Sequence, residues 1–138
     1  MAETRVERRR ITSGGPWERS AGYSRAFVAG DVCHVSGTTD AGPDGRSQNL
    51  GDAAAQARAV WTIIEGALAE AGFGLEDVVR TRMYLTRIED AAAVLAVHGA
   101  LFREIRPAST LVQVAGLIDP TLLVEIEAEA RRDPQANP

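Results

Sequence analysis

The sequence predicts an α+β domain, a mixed β-sheet covered on one face by two helices in the order β-β-α-β-α-β-β. Three observations predict it. Apolar residues recur at helical spacing in two separate segments, 52–71 and 90–104. Segments on either side alternate apolar and polar residues at every second position, as half-buried strands do. Glycine and proline clusters separate these segments. At 138 residues the chain is long enough for one real core and is read as one domain over 1–138.

The first 25 residues are polar and glycine-rich, and Gly14-Gly15-Pro16 is expected to break any regular element there. A further strand over 6–11 stays open. Residues 26–28 and 32–36 read as two short strands across the turn Ala29-Gly30-Asp31, and Gly42-Pro43-Asp44-Gly45 marks a second turn. In the first helix Ala57, Val60, Ile64, Ala67, Leu68 and Ala71 form one apolar face, with Asp52 as N-cap and Gly72 as the stop. Strand 78–86 alternates Val79, Thr81, Met83 and Leu85 with Arg80, Arg82 and Tyr84. The second helix carries Ala91, Val94, Leu95, His98, Leu101 and Phe102 on one stripe, and Pro107 lies just past its end. Strands 110–115 and 122–130 complete the sheet, joined through Asp119-Pro120. Val32, Val35, Met83, Leu111 and Val112 suggest apolar material on more than the helix-facing side, so association through the open face is expected.

Composition narrows the classes. With 45% hydrophobic and 25% charged residues the chain is globular rather than disordered. A net charge of −4 argues against a general nucleic-acid binder, and Arg8, Arg9 and Arg10 form the only basic run. The sequence has no 18-residue apolar stretch, and its N-terminus lacks a hydrophobic signal region, so a cytoplasmic protein without a membrane partner is expected. The single Cys33 cannot form an intrachain disulfide, and no Cys/His metal spacing is present.

In the last strand Glu125, Glu127 and Glu129 share one face, opposite Val124, Ile126, Ala128 and Ala130. Pairing with Arg80 and Arg82 across strands, or solvation, accounts for such a row. Glu125 is the member best placed for chemistry, because a carboxylate partly buried in a cleft can activate water. His98, on an apolar stripe, reads as a hydrogen-bonded packing residue. The direction of His34 is undecided, and Cys33, facing away from it, reads as a small buried hydrophobe. Gly72-Phe73-Gly74 is not a phosphate loop, since it ends a helix and no Lys-Ser/Thr follows. Ser24 and Ser36 lack a nucleophile-elbow context.

Taken together, GYSRA (22–26), VCHVSGTT (32–39), ALAEAGFGLEDVVRTRMYLT (67–86), RPASTLVQVAGL (106–117) and LVEIEAEA (123–130) resemble the YjgF/RidA family, also known as L-PSP endoribonucleases. The resemblance spans nearly the whole chain in the family's order. It implies a chorismate-mutase-like fold, a homotrimer with a barrel-like centre, and small-molecule ligand clefts between subunits, with no metal or organic cofactor. In the family's deaminases an Arg after Pro-Ala grips the substrate carboxylate, and a Glu early in the last strand positions water for attack on an imine carbon.

Carried over, Tyr23 matches the family's cleft tyrosine, Gly37 the glycine of its Ser-Gly pair, and Glu125 the water-positioning glutamate. Ser109 stands where the family has the arginine, Thr38 where it has a glutamine, and Leu95 where an asparagine is common. A serine cannot form the bidentate, charge-assisted pair that holds a carboxylate. Arg25 and Arg106 are the nearby candidates to replace it, or are surface and ion-pairing residues. Three functions follow: hydrolysis of a reactive imine or enamine with Tyr23, Thr38 and Ser109 shaping the pocket, a non-catalytic small-molecule-binding trimer, and RNA cleavage. The last is the weakest, because the acidic chain lacks a basic, aromatic-rich groove.

Overall fold

The computed structural model describes residues 6–133. Its strands are β1 (Arg8–Ile11), β2 (Ala26–Ala29), β3 (Val32–Thr38), β4 (Val78–Leu85), β5 (Ala108–Gln113) and β6 (Val124–Arg131). Its α-helices are α1 (Pro16–Ala21), α2 (Ala53–Glu70) and α3 (Ala91–Phe102). All six strands form one sheet in the order β1-β2-β3-β6-β4-β5. Neighbours are antiparallel except β4 and β5, which run parallel and are linked through α3. The α+β architecture with a mixed sheet therefore stands, with the open 6–11 segment supplying the edge strand β1.

The helix boundaries follow their chemistry. Asp52 accepts a hydrogen bond from the Ala55 N–H at 3.0 Å, capping the start of α2. At its other end Gly72 takes a left-handed φ of 88°, and Arg9 and Arg132 donate to the terminal carbonyls of Ala71 (2.7 Å) and Gly72 (2.8 Å). The buried face of α2 includes Ala57, Val60, Trp61, Ile64 and Leu68, which pack with Cys33, Val35, Met83, Val124, Ile126 and Ala128 from the sheet. Trp61 and Phe102 meet edge to face at 4.9 Å, joining α2 to α3.

Several expectations are corrected. Residues 16–21 form α1, because a proline fits the first turn of a helix, where its missing N–H costs nothing. The register of β4 against β6 shifts between Val78 and Arg80. Val78 consequently takes the core position, and Val79 is 48% exposed. Leu95 is likewise turned out of the apolar stripe of α3. Val35 and Met83 both belong to the helix-facing core, so the open face is not the apolar surface expected from them. Val32 and Val112 do lie on that face, Val112 at 41% exposed, beside charges: Glu127 and Glu129 pair with Arg82 at 3.5 and 3.4 Å. Among the described residues, no helix is long and apolar enough to cross a membrane.

Candidate functional site

Strand β6 alternates buried Val124, Ile126, Ala128 and Ala130 with half-buried Glu125, Glu127 and Glu129 on the open face. The three carboxylates are not equivalent. Glu127 accepts a 2.5 Å hydrogen bond from the Tyr84 hydroxyl and pairs with Arg82, and this acceptor pushes the Tyr84 pKa up. Glu129 lies 3.2 Å from His34 Nδ1, 3.4 Å from Arg82 and 4.0 Å from Arg80. Glu125 has no ion pair within 4.0 Å among the described residues, and burial pushes its carboxyl above the usual range. The positive charge of Arg25 opposes that rise, and the negative charge of Glu127 adds to it.

A second loop region brings partners to Glu125. The β3–β6 register shifts between Val35 and Thr38, and the displaced backbone places Gly37 directly under the Glu125 carboxylate. A side-chain carbon at Gly37 would collide with that carboxylate, so only glycine leaves the group its position. Arg25, just before β2, donates from Nη2 to the Gly37 carbonyl at 2.6 Å. Its guanidinium lies 5.8 Å from the ring centre of Tyr23, which is 42% exposed. The Ser36 hydroxyl donates to the Ser24 carbonyl at 2.7 Å, tying the shifted strand to the segment that carries Tyr23 and Arg25. Tyr23, Arg25, Gly37 and Glu125 thus converge.

Gly37→Ala is expected to change stability by less than about 1 kcal/mol, because the exposed Gly37 meets only the far end of the Glu125 side chain, which must move. Chemical denaturation measures this, and a larger loss would show that the Glu125 carboxylate is not free to swing aside.

Two of the sequence-derived residues lie elsewhere. The register shift turns Thr38 inward, where it is buried and its hydroxyl donates to the Ser36 carbonyl at 2.7 Å. It braces the backbone under the cluster and does not project into it. Ser109 sits on β5, on the far side of β4, paired in register with Thr81, whereas Glu125 pairs with Tyr84. Its hydroxyl is 2.8 Å from that of Thr81, which lies 2.9 Å from His98 Nε2. His98 packs on Trp61 and Phe102, as its stripe position suggested, and burial lowers its pKa, favouring the neutral ring.

His34 is exposed on the open face beside Glu129. Cys33 is fully buried, and burial pushes its thiol up to about 11, so it is not a nucleophile. Arg106, with φ 54°, lines a shallow depression with His98, Gly99, Phe102 and Arg103. Of these two arginines, Arg25 is the one that lies beside the Glu125 cluster.

Comparison with known proteins agrees with this architecture. Residues 16–132 match the family model described as Endoribonuclease L-PSP. An uncharacterised protein of Streptomyces coelicolor is 43% identical over 124 residues, covering 90% of this chain and 92% of its own. The 3-aminoacrylate deaminase RutC of Acinetobacter baylyi is 37% identical over 110 residues, covering 80% and 86%. Among solved structures, Rv2704 of Mycobacterium tuberculosis, described as a YjgF/YER057c/UK114 family member, superposes with a TM-score of 0.83 at 44% identity. That match covers 91% of this chain and 100% of the other. The YjgF gene product of E. coli gives a TM-score of 0.73 at 29% identity, covering 96% and 100%. With its sheet order, its two long helices and these matches, the chain belongs to the endoribonuclease L-PSP family, the YjgF/RidA proteins.

Proposed function

We propose that the protein is a Rid-type hydrolase that releases ammonia from a reactive imine, enamine or related small metabolite, with Glu125 positioning the attacking water. The observation that carries this reading is the isolation of Glu125. Its two neighbours on β6 are held by Arg82, Arg80, His34 and Tyr84, whereas Glu125 is half-buried, unpaired and raised in pKa. A carboxylate of raised pKa is a stronger base, and one not already held by a cation can accept a proton from water. Water would add to the C=N carbon as Glu125 takes its proton. Glu125 hands that proton to the adduct nitrogen and then passes the adduct's hydroxyl proton to the same nitrogen as the C–N bond breaks, so ammonia leaves, the carbonyl forms and the carboxylate returns to its starting state. Arg25 sits beside the carboxylate and supplies a positive charge near the developing adduct. The 37% identity to a 3-aminoacrylate deaminase supports the reaction class.

The working site lies between subunits of a homotrimer in this reading. Supporting it, the Glu125 cluster and Ser109 are separated by β4 within one chain, so a single copy cannot bring both to one small ligand. Sedimentation equilibrium should return three chain masses, and a monomer with full turnover would rule out an intersubunit cleft. A cytoplasmic location fits the lone, unbridged Cys33.

The direct test is ammonia release from imines generated in situ by an amino-acid oxidase, with both anionic and uncharged substrates. A rate equal to the uncatalysed one throughout would remove the hydrolase reading. One observation favours a second reading, a ligand-binding trimer without turnover: the neutral Ser109 at the family's arginine position provides no charged grip on a substrate carboxylate. Saturable ligand binding that Glu125→Gln leaves intact, together with no ammonia release, would establish it.

A further inference from the structure

Two arginines at the end of α3 are left without partners. Arg103 caps the helix, Arg106 follows just beyond it, and both are exposed. Among the described residues neither forms an ion pair or a side-chain hydrogen bond. The end of α2 is different, because Arg9 and Arg132 donate to its terminal carbonyls. Arg103 and Arg106 serve no carbonyl of α3. Both instead line a shallow depression of about 620 Å³ over Ala96, Gly99 and Ala100. Glu104, between them in sequence, does not line it. Two full positive charges outweigh the roughly half unit of negative charge at a helix C-terminus, so the depression attracts anions.

Local energetics show that Arg106 is not there for its backbone. Its φ of 54° lies in the left-handed region, and its N–H closes the helix by donating to the Phe102 carbonyl at 2.8 Å. Glycine makes that closure without strain, and the residue before a proline, here Pro107, favours extended backbone. An arginine at this position costs stability, as residues held in place for their side chains do. The helix leaves the space beside it clear. Between Ala91 and Phe102 it carries no charged residue, and a Cβ added at Gly99 would meet nothing. We infer that the depression at the end of α3 is a second ligand site, in which Arg103 and Arg106 hold the phosphate dianion of a small phosphorylated molecule. Guanidinium forks pair with phosphate oxygens through charge-assisted bonds, and two of them match its two charges. The volume exceeds what a phosphate group fills, and the small side chains of α3 offer an apolar floor to the rest of the ligand. His98, on its wall, bonds to Thr81 on the helix-facing side of the sheet, whereas Glu125 stands on the open face. Within one chain the site is separate from the proposed hydrolytic centre and does not depend on it.

NMR titration of the isotope-labelled full-length protein at constant ionic strength tests this. Inorganic phosphate and sulfate should bind saturably and shift the amide signals of Gly99, Arg103 and Arg106. Acetate, with one charge, should bind about tenfold more weakly. Glycerol 3-phosphate should bind more tightly than inorganic phosphate, and the reverse order would overturn the assignment to a phosphorylated molecule in favour of the free ion. Arg103→Gln should weaken phosphate binding about tenfold. Arg106→Gly separates binding from folding: it should melt higher than wild type and lose phosphate affinity to the same degree. Gly99→Leu, which covers the floor, should remove the advantage of glycerol 3-phosphate over phosphate. No saturation, shifts confined to other residues, acetate binding as tight as phosphate, unchanged affinity in either arginine variant, or a lower melting temperature for Arg106→Gly would each overturn the inference.

Discussion

Replacing Glu125 with glutamine is expected to lower ammonia release by about a hundred- to ten-thousand-fold, the range that a positioned general base contributes. Glutamine keeps the size and hydrogen-bonding shape but cannot take a proton from water, so a loss confined to turnover separates chemistry from packing. The same substitution should raise stability at neutral pH. Burial lifts the Glu125 pKa above its ordinary value of 4.5, so the folded state binds a proton more readily than the unfolded chain. The folded protein is then penalised for holding the ionised group at neutral pH, and the penalty fades as pH falls through the raised pKa. Glu125→Gln should therefore melt higher than wild type at pH 7 and equal to it below about 4.5. Neutralising Glu129 should give the opposite sign at pH 7, because that carboxylate loses pairing with Arg82 and His34. Thermal unfolding across pH, alongside the ammonia assay, checks both. An active Glu125→Gln enzyme would reassign the base, and a destabilised one would mean that Glu125 is held by its surroundings.

The contrast between the three glutamates shows where sequence reading reaches and where it stops. Alternation along β6 is a property of consecutive residues, so the shared face of Glu125, Glu127 and Glu129 was legible, as were the pairing arginines on β4. Helical periodicity likewise gave α2, with Asp52 as its N-cap and Gly72 just past its end. Local register breaks were not legible. The shift at Ser36–Gly37 turns Thr38 inward and Gly37 under Glu125, and the shift at Val79 moves that residue out of the core. Neither leaves a compositional mark beyond the glycine itself. Contacts that depend on parallel strands were hidden for a related reason. Thr81 meets Ser109 only because α3 returns the chain to lie in register along β4, and residues 28 apart carry no periodic signal for that. That Arg25 rather than Arg106 lies beside Glu125 could be seen only with the Gly37 carbonyl in place. The proline at residue 16 misled in the other direction, since it opens a helix as readily as it ends one.

Gln56→Ala should be the most destabilising polar substitution in the chain, at about 3–5 kcal/mol, from lost hydrogen bonds plus the cavity left behind. Gln56 has no exposed surface, and its amide is fully used. Nε2 donates to the carbonyls of Asn49 and Thr121, each at 3.1 Å, and Oε1 accepts from the Leu123 N–H at 2.8 Å. One side chain on α2 thereby fixes the turn before the helix and the turn before β6. The second of these carries the chain into Val124 and Glu125. Around it, Thr121 accepts from the Ser47 N–H at 2.8 Å, and buried Asp40 accepts from Ser47 and Asn49 at 2.8 and 2.9 Å. Removing the amide strands the Asn49 and Thr121 carbonyls and the Leu123 N–H away from water, which costs more than the bonds are worth when made. It also loosens the turn that leads into Val124 and Glu125. Activity should therefore fall in the fraction that stays folded, measured by ammonia release at temperatures well below the midpoint. Gln56→Met, which fills the same space with no amide, isolates the hydrogen bonds from the cavity. If Gln56→Met unfolds at the wild-type denaturant concentration, the polar tie between α2 and β6 contributes nothing and the loss in alanine is packing alone. If both variants lose stability but keep full turnover per folded molecule, Glu125 is positioned by its own strand and not by the turn that precedes it.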